Sequence, residues 1–201
     1  DMFTEAFKDT GKYLGLNPGP KEKISRVGWP MEYMEPTLNL YKNMDKTNTI
    51  LFPHRMAPEK QPGIFTDLKN AMPQYDFVVC QEKPLTKNEY HNLLGSAKLI
   101  FSANLQETLG ISWYEGALLD VIPMVPNRLS YSEMAIPEFA YPSEWTEDWQ
   151  NYLANKKKLI AKIEDYMENY KKYVPLIYKQ KEKLKDSFFS GTKLYGVISN
   201  G

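Results

Sequence analysis

The sequence predicts an α/β fold, a parallel sheet flanked by helices with a long helical extension at the C-terminal end. Three observations predict it. Four short apolar runs, 49–54, 75–80, 98–103 and 121–126, have the length of buried strands. The segments between them, 63–72, 86–97 and 109–120, carry helical signals, so strand and helix alternate over about 75 residues. Beyond residue 150 the chain turns Lys- and Tyr-rich with helical spacing.

The elements follow in order. Residues 2–14 place Phe3, Phe7 and Leu14 at roughly helical spacing, and the Pro- and Gly-containing run 16–20 ends any helix there. Residues 24–41 contain two prolines and no sustained period, the pattern of a lead-in packed along the domain. The run "TILFPH" opens the sheet. Ile64, Leu68 and Met72 then share a helix face, "YDFVVC" gives the second strand, and Thr86 with Glu89 forms a capping box ahead of the next helix. "KLIFSA" is the third strand, 109–120 a helix, and "VIPMVP" the fourth strand, which Pro123 marks as an edge or a strand terminus. Leu159, Ile163, Tyr166, Met167, Tyr170 and Tyr173 make the stripe of a long helix, broken near Pro175 and resuming after it. The arrangement is Rossmann-like. It divides the chain into 1–45, the end of a preceding domain or an interdomain link; 46–150, the α/β domain; and 151–201, the helical extension.

Composition narrows the classes. At 201 residues and 42% apolar content the chain holds a real core, and 13% aromatics argue against disorder. The formal net charge is zero, which removes a global field for nucleic acid. Charge is uneven, however: residues 1–153 carry a net −6 and residues 154–186 a net +5. Cys80 is the sole cysteine, so no intramolecular disulfide and no cysteine-based zinc site can form, which suits a reducing cytoplasm. No apolar run approaches the ~18–20 residues of a membrane span, and no signal-peptide pattern opens the chain.

In parallel sheets, ligands sit outside the carboxyl ends of the strands, which here selects the loops 53–62, 81–86, 102–109 and 126–134. Arg55 and Lys60 follow the first strand, and two cations in such a loop can neutralise a pyrophosphate. The helix beginning near Gly110 offers partnerless amides and the positive end of its dipole, a setting for phosphate. Glu107 just before it can accept from sugar hydroxyls. Glu115, roughly 8 Å further along the axis at the usual rise, is placed for a second hydroxyl-bearing ring. The competing reading is ordinary surface chemistry: solvated cations, a Glu107 that complements the dipole and a Glu115 that faces water. Spacing alone leaves both open.

Taken together, Arg55-x4-Lys60, then Glu107-x7-Glu115 within "ETLG", and the following "GALLDVIPMVPNRLSYSEM" resemble the donor-binding C-terminal half of retaining GT-B glycosyltransferases. Those enzymes commonly carry R-x4-K-G and E-x-F-G-x4-E at these strand ends. Here Leu109 stands for the usual Phe, Gly116 for Ala, Gln61 for the Gly after the Lys, and Asp120 near a usual Gly. The likeness covers 49–135. It implies a nucleotide diphosphate sugar as donor and a metal-independent transfer with no cofactor, with Arg55 and Lys60 on the pyrophosphate and Glu107 on the sugar. It further implies Glu115 on the ribose, the amides of Leu109, Gly110 and Ile111 on phosphate or sugar, and the base near 81–85. Asn127, Arg128 and Ser130 would stand at the mouth of the site, with a structural ion pair beneath the loop as the other reading of Arg128. "VPNRLSYSEM" and "PHRMAPEK" are also similar to tRNA-queuosine mannosyltransferase-like enzymes, and phage glycosyltransferases acting on modified DNA bases are a second branch, so a glycan, tRNA or modified DNA is the implied acceptor.

Other residues point to packing. His54 reads as a histidine packed at a strand end, with a contact to the donor as its other reading, His91 as an exposed helix residue, and Cys80 as a small buried group. The aromatic stripe at 166–173 reads as the face that docks the tail helix, with solvated lysines opposite. A GT-B enzyme needs a second, acceptor-side domain, and the expectation is that it precedes this segment in a longer chain or comes from a partner subunit; the segment alone would bind donor and turn over slowly or not at all. The alternative function is a non-catalytic Rossmann-like module engaging a partner protein or nucleic acid through its Lys/Tyr helix.

Overall fold

The computed structural model describes residues 27–199; the segments predicted at 2–14 and 16–20 lie outside the described residues. The elements are α1 (Met34–Leu38), β1 (Thr49–Phe52), α2 (Pro62–Ala71), β2 (Asp76–Val79), α3 (Lys87–Ser96), β3 (Leu99–Phe101) and α4 (Ile111–Leu118). There follow β4 (Ile122–Pro126), α5 (Tyr131–Met134), β5 (Ala140–Tyr141), α6 (Trp149–Glu168), α7 (Tyr170–Ser187) and α8 (Thr192–Ser199). The strands form one five-stranded sheet in the order β2-β1-β3-β4-β5, every pair parallel. The α/β, Rossmann-like class expected from the alternation is the class observed.

Period-2 alternation sorts the strand side chains onto two cores. Ile50, Phe52, Phe77, Leu99, Phe101, Ile122 and Met124 face one side, where α2 and α6 cover them through Ile64, Phe65, Leu68, Leu159, Ile163 and Tyr166. Leu51, Ile100, Val121 and Val125 face the other, against α1, α4 and the end of α7 through Met34, Leu38, Trp113, Ala117 and Leu184. The chain runs β1 to β2 in one direction across the sheet and β2 to β3 and β4 in the other, which puts the change of direction between β1 and β3. In open α/β sheets that switch point is where the strand-end loops part and leave a crevice.

Three expectations change. β4 is an interior strand and not an edge, and of the two readings of Pro123 the strand terminus is the one observed, since Pro123 is the second residue of β4. Pro123 pairs with Ile100 on the β3 side, while β5 begins only at Val125, so the side that Pro123 would have served with an N–H has no neighbour at that level. The helical break falls at Asn169, upstream of Pro175, which sits inside α7. Asn169 closes α6 with its amide on Asp165 and opens α7 with its carbonyl on Lys172, which re-aims the chain so that Tyr173 and Ile177 reach the core. The Tyr stripe is therefore not a docking face for a tail helix but one wall of the sheet core, with Tyr166 and Tyr173 edge to face at 4.8 Å. Several lysines opposite it are tied down: Lys156 to Asp67, Lys181 to Asp120, and Lys183 to the Ala135 carbonyl. Residues 27–41 pack onto the same body, with Met31, Met34 and Leu38 buried. Among the described residues, no helix is long and apolar enough to cross a membrane.

Candidate functional site

The start of α4 lies at the carboxyl end of β3, one strand from β1 across the switch point. Gly110 is its N-cap with φ 62°, a left-handed conformation that a side chain resists. A Cβ here would also stand 2.3 Å from Trp113 Nε1, so this turn requires glycine twice over. Leu109 is half-buried against the α4 core, and the Ile111 and Ser112 amides, first in the helix, meet no acceptor among the described residues.

Glu107 is the hub of the preceding loop. Its Oε1 accepts from the Thr108 amide at 3.1 Å and the Gly110 amide at 3.2 Å. Its Oε2 accepts from Lys60 Nζ at 3.2 Å, Asn104 Nδ2 at 2.9 Å and the Tyr131 hydroxyl at 3.4 Å. Burial pulls this carboxyl upward, but the Lys60 charge, its hydrogen bond and the Thr108 amide together hold it below the ordinary carboxylate range. Lys60 is itself buried and also donates to the Gln106 carbonyl. A cation from the β1 loop and an amide of the α4 start thus converge on one carboxylate, Glu107, where the sequence motifs aim both at a diphosphate. Arg55 does not join them: its guanidinium grips Glu59 within its own turn and its side chain is largely in solvent.

The two departures from glycine noted in the motifs both fall at positive φ, Gln61 at 53° and Asp120 at 58°. Gln61 offsets the strain with two hydrogen bonds of 2.6 Å from Nε2, to the carbonyls of Ala103 and Thr146. Arg128 grips the same two carbonyls, at 3.2 and 3.0 Å, and also that of Ser143 and the Thr146 hydroxyl. Its guanidinium is therefore a brace under the 103 and 146 backbone and not a group at the mouth of a site; the partner is a set of carbonyls, where an ion pair was the structural expectation. Asn127 is exposed with its amide on the Tyr141 carbonyl, and Ser130 Oγ is buried without a partner.

Glu115 sits in the second turn of α4 and faces inward, not to water. Tyr90 donates to its Oε2 at 3.2 Å, and His91 Nε2 lies 3.8 Å from Oε1. Burial raises the Glu115 carboxyl and, with help from the Lys87 charge, lowers His91, so this contact is no ion pair at neutral pH. His91, expected at the surface, is buried because its side of α3 packs on the turn after α1, with its ring edge-on to Tyr41 at 5.2 Å.

A cleft of about 700 Å³ opens along this face, with Pro53, Gln81, Leu85, Tyr90, Ser112 and Glu115 in its wall. It runs from the start of α4 to the loop after β2, which includes the 81–85 segment. Lys60, Glu107 and Arg55 are not in that wall. His54 is buried at the end of β1, as expected, edge-on to Phe52 at 5.1 Å, and burial lowers its pKa to about 4. Asn104, Tyr131 and Tyr90 were missed by sequence reasoning. Only Asn104 left a signal, a polar residue just beyond a strand at the switch point.

No protein-family model matches the chain, and no curated protein matches it.

Proposed function

We propose that this segment is the donor-binding half of a retaining glycosyltransferase of GT-B type, which takes a nucleotide diphosphate sugar into the cleft between the start of α4 and the 81–85 loop. The observation that carries the reading is the cleft itself. One end has the partnerless amides of Ile111 and Ser112, and its wall has Glu115 about a helical turn deeper. An anion at the helix start and a diol against Glu115 are the two ends of a nucleoside diphosphate.

The chemistry follows from charge. As the sugar leaves, negative charge builds on the diphosphate, and fixed dipoles aimed at that charge stabilise it without reorganising. The α4 amides supply those dipoles, with Lys60 close behind them. Arg55 sits on the same loop and reaches the diphosphate by exchanging Glu59 for it, an exchange of one solvent-exposed ion pair for a charge-assisted fork. Glu107 serves this end as the group that fixes Lys60 and the Gly110 turn; the sugar contact that the motif resemblance implies requires it to give up one of its present donors. No step calls for a metal. Retention of configuration and transfer to a glycan, tRNA or modified DNA rest on the motif resemblance, as does the acceptor-side domain of a longer chain or partner.

Calorimetric titration with uridine, guanosine and adenosine diphosphates tests the reading. One of them binds with micromolar to sub-millimolar affinity, and Lys60→Ala weakens that diphosphate about ten-fold more than its parent nucleoside. If none binds at millimolar concentration, the donor site is not there.

A further inference from the structure

Tyr90 has no place in the motifs above, yet its hydroxyl is the one group within hydrogen-bond distance of the Glu115 carboxylate among the described residues. Both side chains are in the cleft wall. Tyr90 comes from α3 and Glu115 from α4, so this hydrogen bond ties together two elements that flank the crevice. A buried carboxylate with a single donor has spare acceptor capacity, since its two oxygens offer about four lone-pair sites. It also has a problem: burial favours its protonated form, in which one oxygen becomes a donor and the acceptor capacity for a diol shrinks.

We propose that Tyr90 is the positioning residue for Glu115, holding Oε2 so that the ionised carboxylate presents its remaining lone pairs to a cis-diol, and that this pair makes the site selective for ribose-bearing ligands over those lacking the diol. This rests on the nucleotide reading of the cleft. The phenol donates to the charged form and so opposes the burial that would neutralise it. The groups facing Glu115 on every side are Tyr90, His91 and Lys87 from α3, with Lys83 and the buried Cys80 thiol on the adjoining cleft wall. His91 is neutral above mild acid and Cys80 stays a thiol, so the Tyr90 hydrogen bond and, more weakly, the Lys87 charge are what favour the ionised carboxylate at neutral pH.

Tyr90→Phe keeps the ring and removes the donor, so the α3–α4 packing survives. Two readouts decide. In the first, carbon-detected NMR follows the Glu115 carboxyl through a pH titration of the ligand-free protein, wild type and variant. The midpoint rises by roughly one pH unit in Tyr90→Phe, since a hydrogen bond to the charged form has been lost; an unmoved midpoint overturns the proposal whether or not nucleotides bind. In the second, the diphosphate that binds wild type is compared with its 2′,3′-dideoxy analogue. Wild type prefers the ribose form, and Tyr90→Phe loses about ten-fold on the ribose form and little on the analogue. Equal losses on both mean a merely structural role and also overturn it. A wild-type protein that binds neither ligand removes the nucleotide reading alone, and the NMR titration still decides what Tyr90 does to Glu115.

Discussion

Glu107 and Glu115 stand eight residues apart on either side of one helix start, and their surroundings are opposite. Glu107 receives hydrogen bonds from Lys60, Asn104, Tyr131 and two backbone amides, and its pKa is held low. Glu115 receives one, from Tyr90, and burial raises its pKa. The difference teaches how the same residue serves two purposes. A carboxylate saturated by its own protein is an anchor: it fixes a loop and balances a buried cation. A carboxylate left short of donors in a cleft wall has capacity for a ligand. The loop end of the candidate site is saturated by its own hydrogen bonds, and the Glu115 end keeps acceptor capacity.

The largest effect should come from breaking the anchor. Glu107→Ala leaves Lys60 buried with only a carbonyl for company and strips acceptors from four other donors, the situation that costs about 3–5 kcal/mol when one partner of a buried pair is removed. Glu115→Ala removes an acceptor from one tyrosine and relieves a carboxylate that burial disfavours, so its stability should stay within about 1 kcal/mol of wild type. Urea unfolding of both variants measures the contrast. Comparable losses would mean that Glu115 is as much an anchor as Glu107.

Next in size is the turn that the anchor holds. Gly110→Ala asks a side chain to adopt φ 62° and drives a Cβ against the buried Trp113 indole. The backbone costs about 1–2 kcal/mol and the displaced ring a similar amount, about 3 in all. Gly63→Ala, at the start of α2, meets nothing nearer than 3.8 Å and should instead gain up to about 1 kcal/mol from helix propensity. Thermal denaturation separates the two: opposite signs keep the anchor region distinct, and equal small shifts would show that Gly110 is dispensable.

How much of this was legible follows the range of the forces. Four strands, the helices between them and the Thr86–Glu89 capping box are local patterns, and the structure keeps them, capping box included. β5 escaped because two residues carry no period. Pro123 marked the start of its strand but not an edge of the sheet, because its tolerance depends on where a neighbouring strand starts, which is a fact about residue 140 and not about residue 123. His91 looked exposed because its cover comes from Tyr41, fifty positions earlier. At the site, Lys60, Glu107, Gly110 and Glu115 were legible as charges and a glycine at strand ends. Their division into anchor and poised acceptor was not, because it is decided by Asn104, Tyr131 and Tyr90, which reach them from other loops and helices. Arg128 shows the same limit: its partners are carbonyls, and no side-chain pattern announces a carbonyl.

The smallest effect tests how dry the anchor end is. His54 packs beside it, with Asn104 Nδ2 at 3.4 Å from Nδ1 and Nε2 buried without a partner. Burial depresses its pKa from 6.5 to about 4, against a smaller upward pull from Glu107. The unfolded chain therefore binds a proton on this residue before the folded one does. Stability is fully present above pH 6.5 and falls as the pH drops toward 4, roughly 3 kcal/mol in full and roughly 2 of it by pH 5. Glu107 adds little in that window, because its unfolded form ionises near 4.5 and its folded form lower still. His91 is also lowered by burial, but it is present in wild type and variant alike and cancels in their difference. Unfolding free energies of wild type and His54→Gln at pH 7 and pH 5 should then differ in their acid loss by roughly 2 kcal/mol, wild type losing more. Equal acid losses would mean that solvent or a mobile loop reaches His54 in the folded state, and an anchor end that wet could not hold Lys60 and Glu107 in the low-dielectric contact on which the contrast with Glu115 depends.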